Sequence, residues 1–150
     1  MNSEPVSGIL LSRMQFPIRW GDMDALAHVN NTLYLRYFEE SRVSWAEGIG
    51  MPLRTDGEGM ILAKATVTFK KPVTYPATVT VDLLAGNIGR SSFTLLNTLT
   101  VAGESDPSAT GECVTVWYDY IGLKSMPLPQ KLRSILAGER DGTSQVAKKP

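Results

Sequence analysis

The side chains best suited to chemistry in this chain lie in one short segment, DMDALAHVNN. It holds two carboxylates, Asp22 and Asp24, the single histidine, His28, and the pair Asn30 and Asn31, where an amphipathic helix is predicted to begin. The N–H groups at a helix N-terminus have no partner within the helix and carry partial positive charge. They can therefore stabilise an oxyanion beside a carboxylate that attacks a carbonyl or activates water. The segment predicts a hydrolytic site.

A longer pattern that includes this segment resembles a known family signature. D-x-D-x-x-x-H-V-N-N-x-x-Y-L-x-x-x-E-x-x-R is similar to the motif of hotdog-fold thioesterases, the 4-hydroxybenzoyl-CoA thioesterase-like and acyl-CoA thioesterase group. The matching positions are Asp22, Asp24, His28, Val29, Asn30, Asn31, Tyr34, Leu35, Glu39 and Arg42. The resemblance implies an α+β hotdog fold, in which an antiparallel five-stranded sheet wraps around one long helix. It also implies hydrolysis of an acyl or aryl coenzyme A thioester to the free acid and CoA.

Three residues of the segment are predicted to be catalytic. The resemblance implies that Asp24 acts as a nucleophile, through a transient anhydride, or as a general base on water, and both routes stay open. His28 is interpreted as orienting water, hydrogen-bonding Asp24 or shaping the loop. The resemblance also implies that the backbone N–H near Asn31 faces the thioester carbonyl. Asp22, by contrast, is predicted to have a structural role.

Further residues are predicted to bind the substrate: Asn30, Tyr34, Arg90, Ser91 and Ser92. Asn30 is a good capping residue at the predicted helix start. Tyr34 and Tyr37 lie on the apolar stripe of that helix, where they are expected to pack in the core first and at most also to line an acyl pocket. The other three follow a glycine-rich turn and are expected to contact the phosphates or pantetheine arm of coenzyme A. A solvated hairpin tip is the alternative for them.

The surrounding sequence predicts the elements that position the segment. Apolar residues alternate with polar ones from Met14 to Trp20, which indicates a half-buried strand leading into it. After Asn31 the period becomes that of a helix, which ends near Gly48. Alternating segments then predict four strands in up-and-down order, followed by a short helix through Leu132 and Leu136. A single sheet must wrap around its one apolar helix to bury it, which agrees with the hotdog fold.

Length and composition predict a soluble cytoplasmic protein of one domain. We assign residues 1–138 to that domain and expect a disordered polar tail at residues 139–150. Fifteen basic residues balance fifteen acidic ones, so nucleic acid is not an expected partner. The single cysteine, Cys113, cannot form an internal disulfide and indicates a reducing compartment. No stretch approaches the roughly 20 apolar residues of a membrane span.

No metal or other cofactor is expected at the predicted site. Two aspartates and one histidine lack the further ligands that a catalytic zinc site needs. There is no G-x-S-x-G nucleophile elbow and no glycine-rich nucleotide-binding loop. A thioester suits so simple a site, because a thiol with a pKa of about 8.5 leaves without a strong general acid.

The expected partners are the acyl-CoA substrate and further copies of the chain. One helix cannot cover all faces and edges of the sheet, so a homodimer or a dimer of dimers is predicted. Two other functions stay open. One is a hotdog hydratase or dehydratase acting on acyl thioesters, and the other is a non-catalytic module that binds acyl thioesters.

Overall fold

The chain forms one antiparallel sheet and two helices in a computed structural model that describes residues 6–51 and 53–139. Strands β1 to β6 span Ile9–Pro17, Glu58–Phe69, Thr78–Ile88, Ser92–Val101, Ala109–Asp119 and Lys124–Ser125. Helices α1 and α2 span Leu33–Gly48 and Gln130–Leu136, and a 3-10 turn spans Trp20–Asp22. The predicted tail lies outside the described residues except for Glu139. Within the described ranges, neither helix has the length and apolar character of a membrane span.

The five long strands lie in the order β1-β3-β4-β5-β2, and the short β6 pairs with β5. The predicted up-and-down order holds for β3, β4 and β5 but is wrong for β2, which pairs with β5 instead of β3. The physical reason is that α1 carries the chain across the sheet, so β2 joins the edge opposite β1. The sheet encloses α1, and the predicted hotdog fold is confirmed.

Helix α1 has the buried stripe that its period predicts. The stripe comprises Tyr34, Tyr37, Phe38, Ser41, Trp45 and Ala46. The helix begins at Leu33, and the Thr32 N–H donates to Asn30 Oδ1 just before it, at 2.9 Å. It ends at Gly48, after which Gly50 turns the chain with a φ of 71°.

A glycine lets α1 lie close against the sheet. Phe38 is completely buried, and a Cβ atom placed on Gly111 of β5 would lie 2.5 Å from its Cε2 atom and 2.8 Å from its Cδ2 atom. The side chains of Val79 and Leu99 complete this part of the core. Contact between the phenyl ring and bare backbone therefore sets the height of the N-terminal half of α1 above the sheet.

The other half of α1 lies under the predicted short helix, which is confirmed as α2. Leu132 and Leu136 of α2 are buried in one cluster with Trp45 of α1 and Phe93 of β4. The turn between β3 and β4 is therefore at the C-terminal end of α1. The end of β2 lies at the opposite end of the sheet, where Phe69 pairs with Ala109 in the register of β5.

Candidate active site

A tight loop before α1 carries Asp24 and His28. Met23 and Val29 pair at its base as an isolated antiparallel bridge. The Asp24 N–H donates to the His28 carbonyl oxygen at 3.0 Å, and the Ala27 N–H donates to the Asp24 carbonyl oxygen at 3.0 Å. Ala27 closes the turn with a φ of 59°, in the left-handed region that residues other than glycine seldom adopt. The backbone thus holds Asp24 and His28 on opposite sides of the loop.

The Asp24 carboxylate is partly exposed and held at one oxygen. Its Oδ1 atom accepts a hydrogen bond from the Leu26 N–H at 2.9 Å. Within residues 6–51 and 53–139 its Oδ2 atom has no hydrogen-bond partner, and no hydrogen bond joins the carboxylate to the exposed His28 ring. A carboxylate oriented at one oxygen and free at the other can attack a carbonyl carbon or accept a proton from water.

The start of α1 leaves one backbone N–H available beside this loop. Asn30 accepts at both of its oxygens: Oδ1 receives the Thr32 N–H at 2.9 Å, and the carbonyl oxygen receives the Leu33 N–H at 3.0 Å. Among the described residues, the Asn31 N–H makes no hydrogen bond. An unused N–H at a helix N-terminus is a suitable donor to a developing oxyanion.

An open cleft of about 360 Å³ adjoins the helix start. Its walls comprise His28, Val29, Asn31 and Tyr34 on one side and Phe69, Lys70, Lys71 and Pro72 on the other. The ring of Tyr34 meets that of Phe69 edge-on, with 5.0 Å between the centroids. Burial raises the pKa of the Tyr34 hydroxyl, so this group stays neutral. The structure thus brings His28, Asn31 and Tyr34 together at one cleft, while Asp24 lies on the adjoining loop outside the cleft walls.

The second wall of the cleft, Phe69 to Pro72, was missed by sequence reasoning. The Lys70 and Lys71 N–H groups both donate to the Ser108 carbonyl oxygen, at 2.9 and 3.1 Å. Lys71 forms an ion pair with Glu104, and Lys70 has no ion pair among the described residues. No sequence motif marks this wall, because β2 reaches it only through long-range pairing with β5.

Arg90, Ser91 and Ser92 lie far from the cleft within one subunit. They follow β3 at the C-terminal end of α1, and a helix of 16 residues is about 24 Å long. The Arg90 carbonyl oxygen accepts the Leu128 N–H at 2.9 Å, and the Ser91 carbonyl oxygen accepts the Trp117 N–H at 2.8 Å. Their backbone therefore binds β5 and the segment before α2, and a single subunit does not bring their side chains to the cleft.

Asp22 is partly buried and is held by hydrogen bonds away from the cleft. Its Oδ2 atom accepts the Tyr37 hydroxyl at 2.6 Å and the Arg19 N–H at 3.0 Å. Asp22 and Tyr37 form part of the wall of a groove of about 760 Å³ between β1 and α1. This groove does not include Asn31, so it lacks the unused helix N–H that distinguishes the cleft.

Comparison with protein families places the chain in a class that agrees with this fold and site. The family model of the thioesterase-like superfamily matches residues 18–136. The chain therefore belongs to the thioesterase-like superfamily. The matched range includes the whole Asp-x-Asp loop, α1 and the cleft. Among curated proteins, none matches the chain.

Solved structures resemble the chain along nearly their whole length. A provisionally assigned thioesterase from Pseudomonas aeruginosa is 41% identical, with a TM-score of 0.79 over 83% of this chain and 97% of its own. A provisionally assigned acyl-CoA thioesterase from Xanthomonas campestris is 31% identical, with a TM-score of 0.70 over 79% of this chain and 99% of its own. The 1,4-dihydroxy-2-naphthoyl-CoA thioesterase from Synechocystis shares the fold at 18% identity, with a TM-score of 0.76 over 83% of this chain and 94% of its own.

Proposed function

We propose that the chain hydrolyses acyl or aryl coenzyme A thioesters to the free acid and CoA. Membership of the thioesterase-like superfamily supports thioester hydrolysis, and the likeness to the Xanthomonas protein supports an acyl-CoA as the substrate. The observation that carries the proposal is the placement of a carboxylate loop beside an unused N–H at the start of α1, next to an open cleft. These are the parts that carbonyl attack requires.

In the proposed reaction the thioester carbonyl oxygen accepts a hydrogen bond from the Asn31 N–H. Asp24 either attacks the carbonyl carbon or removes a proton from a water molecule that attacks it. The oxyanion of the tetrahedral intermediate then collapses, the C–S bond breaks, and CoA leaves as a thiolate. In the first route, water hydrolyses the resulting anhydride and regenerates Asp24. His28 orients this water from the cleft wall.

The cleft favours a larger acyl group over acetyl. Tyr34, Phe69 and Val29 give it an apolar lining, and burial of apolar area increases with the size of the acyl group. Assays with acetyl-, octanoyl-, palmitoyl- and benzoyl-CoA, monitored by released thiol, should give a kcat/KM at least about tenfold lower for acetyl-CoA, since each buried methylene contributes about 0.8 kcal/mol. The prediction is wrong if acetyl-CoA is the best substrate of the four.

The thiol assay has little background from the protein itself. Cys113 is the single cysteine and is 1% exposed. Burial raises the pKa of its thiol. The Arg42 guanidinium, 3.6 Å from the sulfur, acts in the opposite direction but is the smaller effect. A buried, protonated thiol reacts slowly with disulfide reagents. Thiol released during turnover therefore reports CoA.

We also propose that the working enzyme is a dimer joined along β2. Residues 61–64 are all exposed although β2 lies in a sheet, so neither face of this stretch is covered by the described residues. Ile61 and Leu62 are 37% and 44% exposed. β2 is an edge strand, and a second copy of β2 can pair with its free edge.

A two-fold axis would make this pair of strands antiparallel, which has a consequence for Arg90, Ser91 and Ser92. Each subunit carries these residues at the end of the sheet opposite its cleft. Antiparallel pairing therefore places the partner subunit's β3–β4 turn at the same end of the joint sheet as the cleft. In this arrangement the coenzyme A arm extends from the cleft of one subunit to the β3–β4 turn of the other. The predicted contacts of Arg90, Ser91 and Ser92 are therefore made with a substrate bound in the partner subunit's cleft.

Leu62→Lys should raise the dissociation constant of the dimer by about 10²-fold or more, because an unpaired charge buried at an interface costs roughly 3–5 kcal/mol. Sedimentation velocity at micromolar concentration checks the shift towards single chains. Ile121→Lys is the matched control, because Ile121 is 73% exposed and lies in the turn after β5. An active wild-type protein that sediments as a single chain would contradict the shared site.

A further inference from the structure

Asp22 is the junction of three segments that meet behind the catalytic loop. Its Oδ2 atom accepts the Tyr37 hydroxyl from α1 at 2.6 Å and the Arg19 N–H from the end of the β1 segment at 3.0 Å. Its carbonyl oxygen accepts the Asn30 N–H, from the far end of the loop, at 2.9 Å. One residue thus ties the entry and the exit of the loop to the side of α1.

The Tyr37 hydroxyl is a persistent donor to this junction. Tyr37 is 7% exposed, and its ring packs edge-on against Phe16 with 5.1 Å between the centroids. Burial, followed by the hydrogen bond to Asp22, raises its pKa well above the ordinary value for tyrosine. The hydroxyl therefore keeps its proton across the working range of pH. Packing of the ring fixes the direction in which the hydroxyl group points.

Contacts with residues 73–75 also hold the loop, among them one from the Tyr75 N–H to Met23 Sδ at 3.4 Å. The Val29 N–H donates to the Val73 carbonyl oxygen at 2.8 Å, which holds the end of the loop near His28. On the other side, Thr74 Oγ1 reaches the Ala27 carbonyl oxygen only at 3.5 Å, at the limit of a hydrogen bond. Asp24 lies two residues after Asp22, and among the described residues the Asp22–Tyr37 hydrogen bond is the one that links the entry of the loop to a side chain of α1.

We propose that Tyr37 is a positioning residue, which holds Asp22 so that the Asp24 carboxylate stays in reach of the carbonyl bound at the N-terminus of α1. This inference rests on the proposed thioester hydrolysis. Tyr37 is not part of the cleft wall and lines the groove between β1 and α1 instead. Its effect is on the geometry of the reacting groups, for which a displacement of about 1 Å costs about 10²-fold in rate.

Removal of one hydroxyl tests the inference. Tyr37→Phe should lower kcat for the best acyl-CoA by about 10- to 10²-fold and leave KM within about twofold, because the substrate contacts are unchanged. Tyr120→Phe is the matched control: the Tyr120 hydroxyl is partly buried and donates to the Met60 carbonyl oxygen at 2.8 Å, away from the loop. Both variants should lose a similar few degrees of Tm, and only Tyr37→Phe should lose turnover.

Asp22 supplies the second half of the test. Asp22→Ala should lower kcat at least as much as Tyr37→Phe, because it removes the Arg19 N–H contact as well as the Tyr37 contact. The double variant should be no slower than Asp22→Ala alone, since Asp22→Ala already removes the contact that Tyr37 makes. Asp22→Asn keeps an oxygen that can accept the Tyr37 hydroxyl, so it should restore most of the kcat lost in Asp22→Ala. If Tyr37→Phe does not fold, the comparison of Asp22→Ala with Asp22→Asn decides the question.

The outcomes separate this inference from the proposed function. A wild-type protein that releases no thiol overturns the proposed function and the inference with it. A wild-type protein that hydrolyses acyl-CoA, together with Tyr37→Phe at wild-type kcat, overturns the positioning role alone. The same holds if the losses in Tyr37→Phe and Asp22→Ala multiply in the double variant.

Discussion

Asp24→Asn should lower kcat for acyl-CoA hydrolysis by about 10²- to 10⁴-fold, the usual cost of losing a positioned proton-transfer group, and by more if Asp24 is the nucleophile. Asn has nearly the shape of Asp, and its side-chain oxygen can still accept the Leu26 N–H that holds Asp24 at 2.9 Å. The loop should therefore keep its conformation while it loses the negative charge and basicity. Steady-state kinetics with thermal melts and acyl-CoA binding check that only the chemistry is lost.

A second aspartate provides the matched control for this substitution. Asp56 lies before β2, is exposed and pairs with Arg54 at 2.8 Å, so Asp56→Asn removes a carboxylate without touching the loop or the cleft. It should keep kcat close to the wild-type value. A folded Asp24→Asn variant as active as Asp56→Asn would show that Asp24 is not catalytic.

The contact between Phe38 and Gly111 should give the largest change in stability. Phe38→Ala should lower the free energy of unfolding by about 3–5 kcal/mol, because it leaves a cavity beneath α1. Gly111→Ala should lower it by about 1–3 kcal/mol, because the new Cβ atom would lie 2.5 Å from the buried phenyl ring. Denaturant titration of both variants measures these values.

The two substitutions should not be additive. Once Phe38 is Ala, the Cβ atom at position 111 no longer meets the ring, and its remaining close contact is with the Thr66 carbonyl oxygen at 3.3 Å. Gly111→Ala should then cost clearly less than it does in the wild-type protein. Gly57→Ala is the control, since within residues 6–51 and 53–139 no atom beyond the two adjoining residues lies within 4 Å of its added Cβ. Additive losses in the double variant would mean that the ring does not set the height of α1 above the sheet.

Much of the fold could be predicted because its signals are local. The 3.6-residue period marks α1, and the predicted stripe is buried from Tyr34 to Trp45. At its end the prediction is wrong, because Gly48 is exposed and Ala46 is buried. The alternating segments mark the long strands. The partner of β2 could not be predicted in the same way, because periodicity reports which face is buried and not which strand is adjacent. Phe69 and Lys70 were missed as parts of the cleft for this reason.

In the candidate site, too, the residues that are close in sequence could be predicted and those brought together by long-range pairing could not. His28, Asn31 and Tyr34 are close in sequence, so one loop and one helical turn suffice to bring them to the cleft. Arg90 is separated from these residues by most of the sheet. Its distance from the cleft depends on which end of the sheet the β3–β4 turn occupies, and a sequence motif does not report the position of that turn. The hydrogen bond between Asp22 and Tyr37 joins the loop before α1 to a side chain within the helix. Predicting it requires the path of the loop as well as the period of the helix, so it was found only in the structure.

The central claim, hydrolysis of an acyl-CoA thioester, is tested most directly by measuring both products of one reaction. The wild-type protein should release free CoA thiol and free carboxylic acid from octanoyl- or benzoyl-CoA in equal amounts, with the thiol followed by a disulfide reagent and the acid by mass spectrometry. The same amounts should appear when a chelator is present. Substrate that binds but yields neither product would contradict the account, and so would the addition of water to an enoyl-CoA without release of thiol.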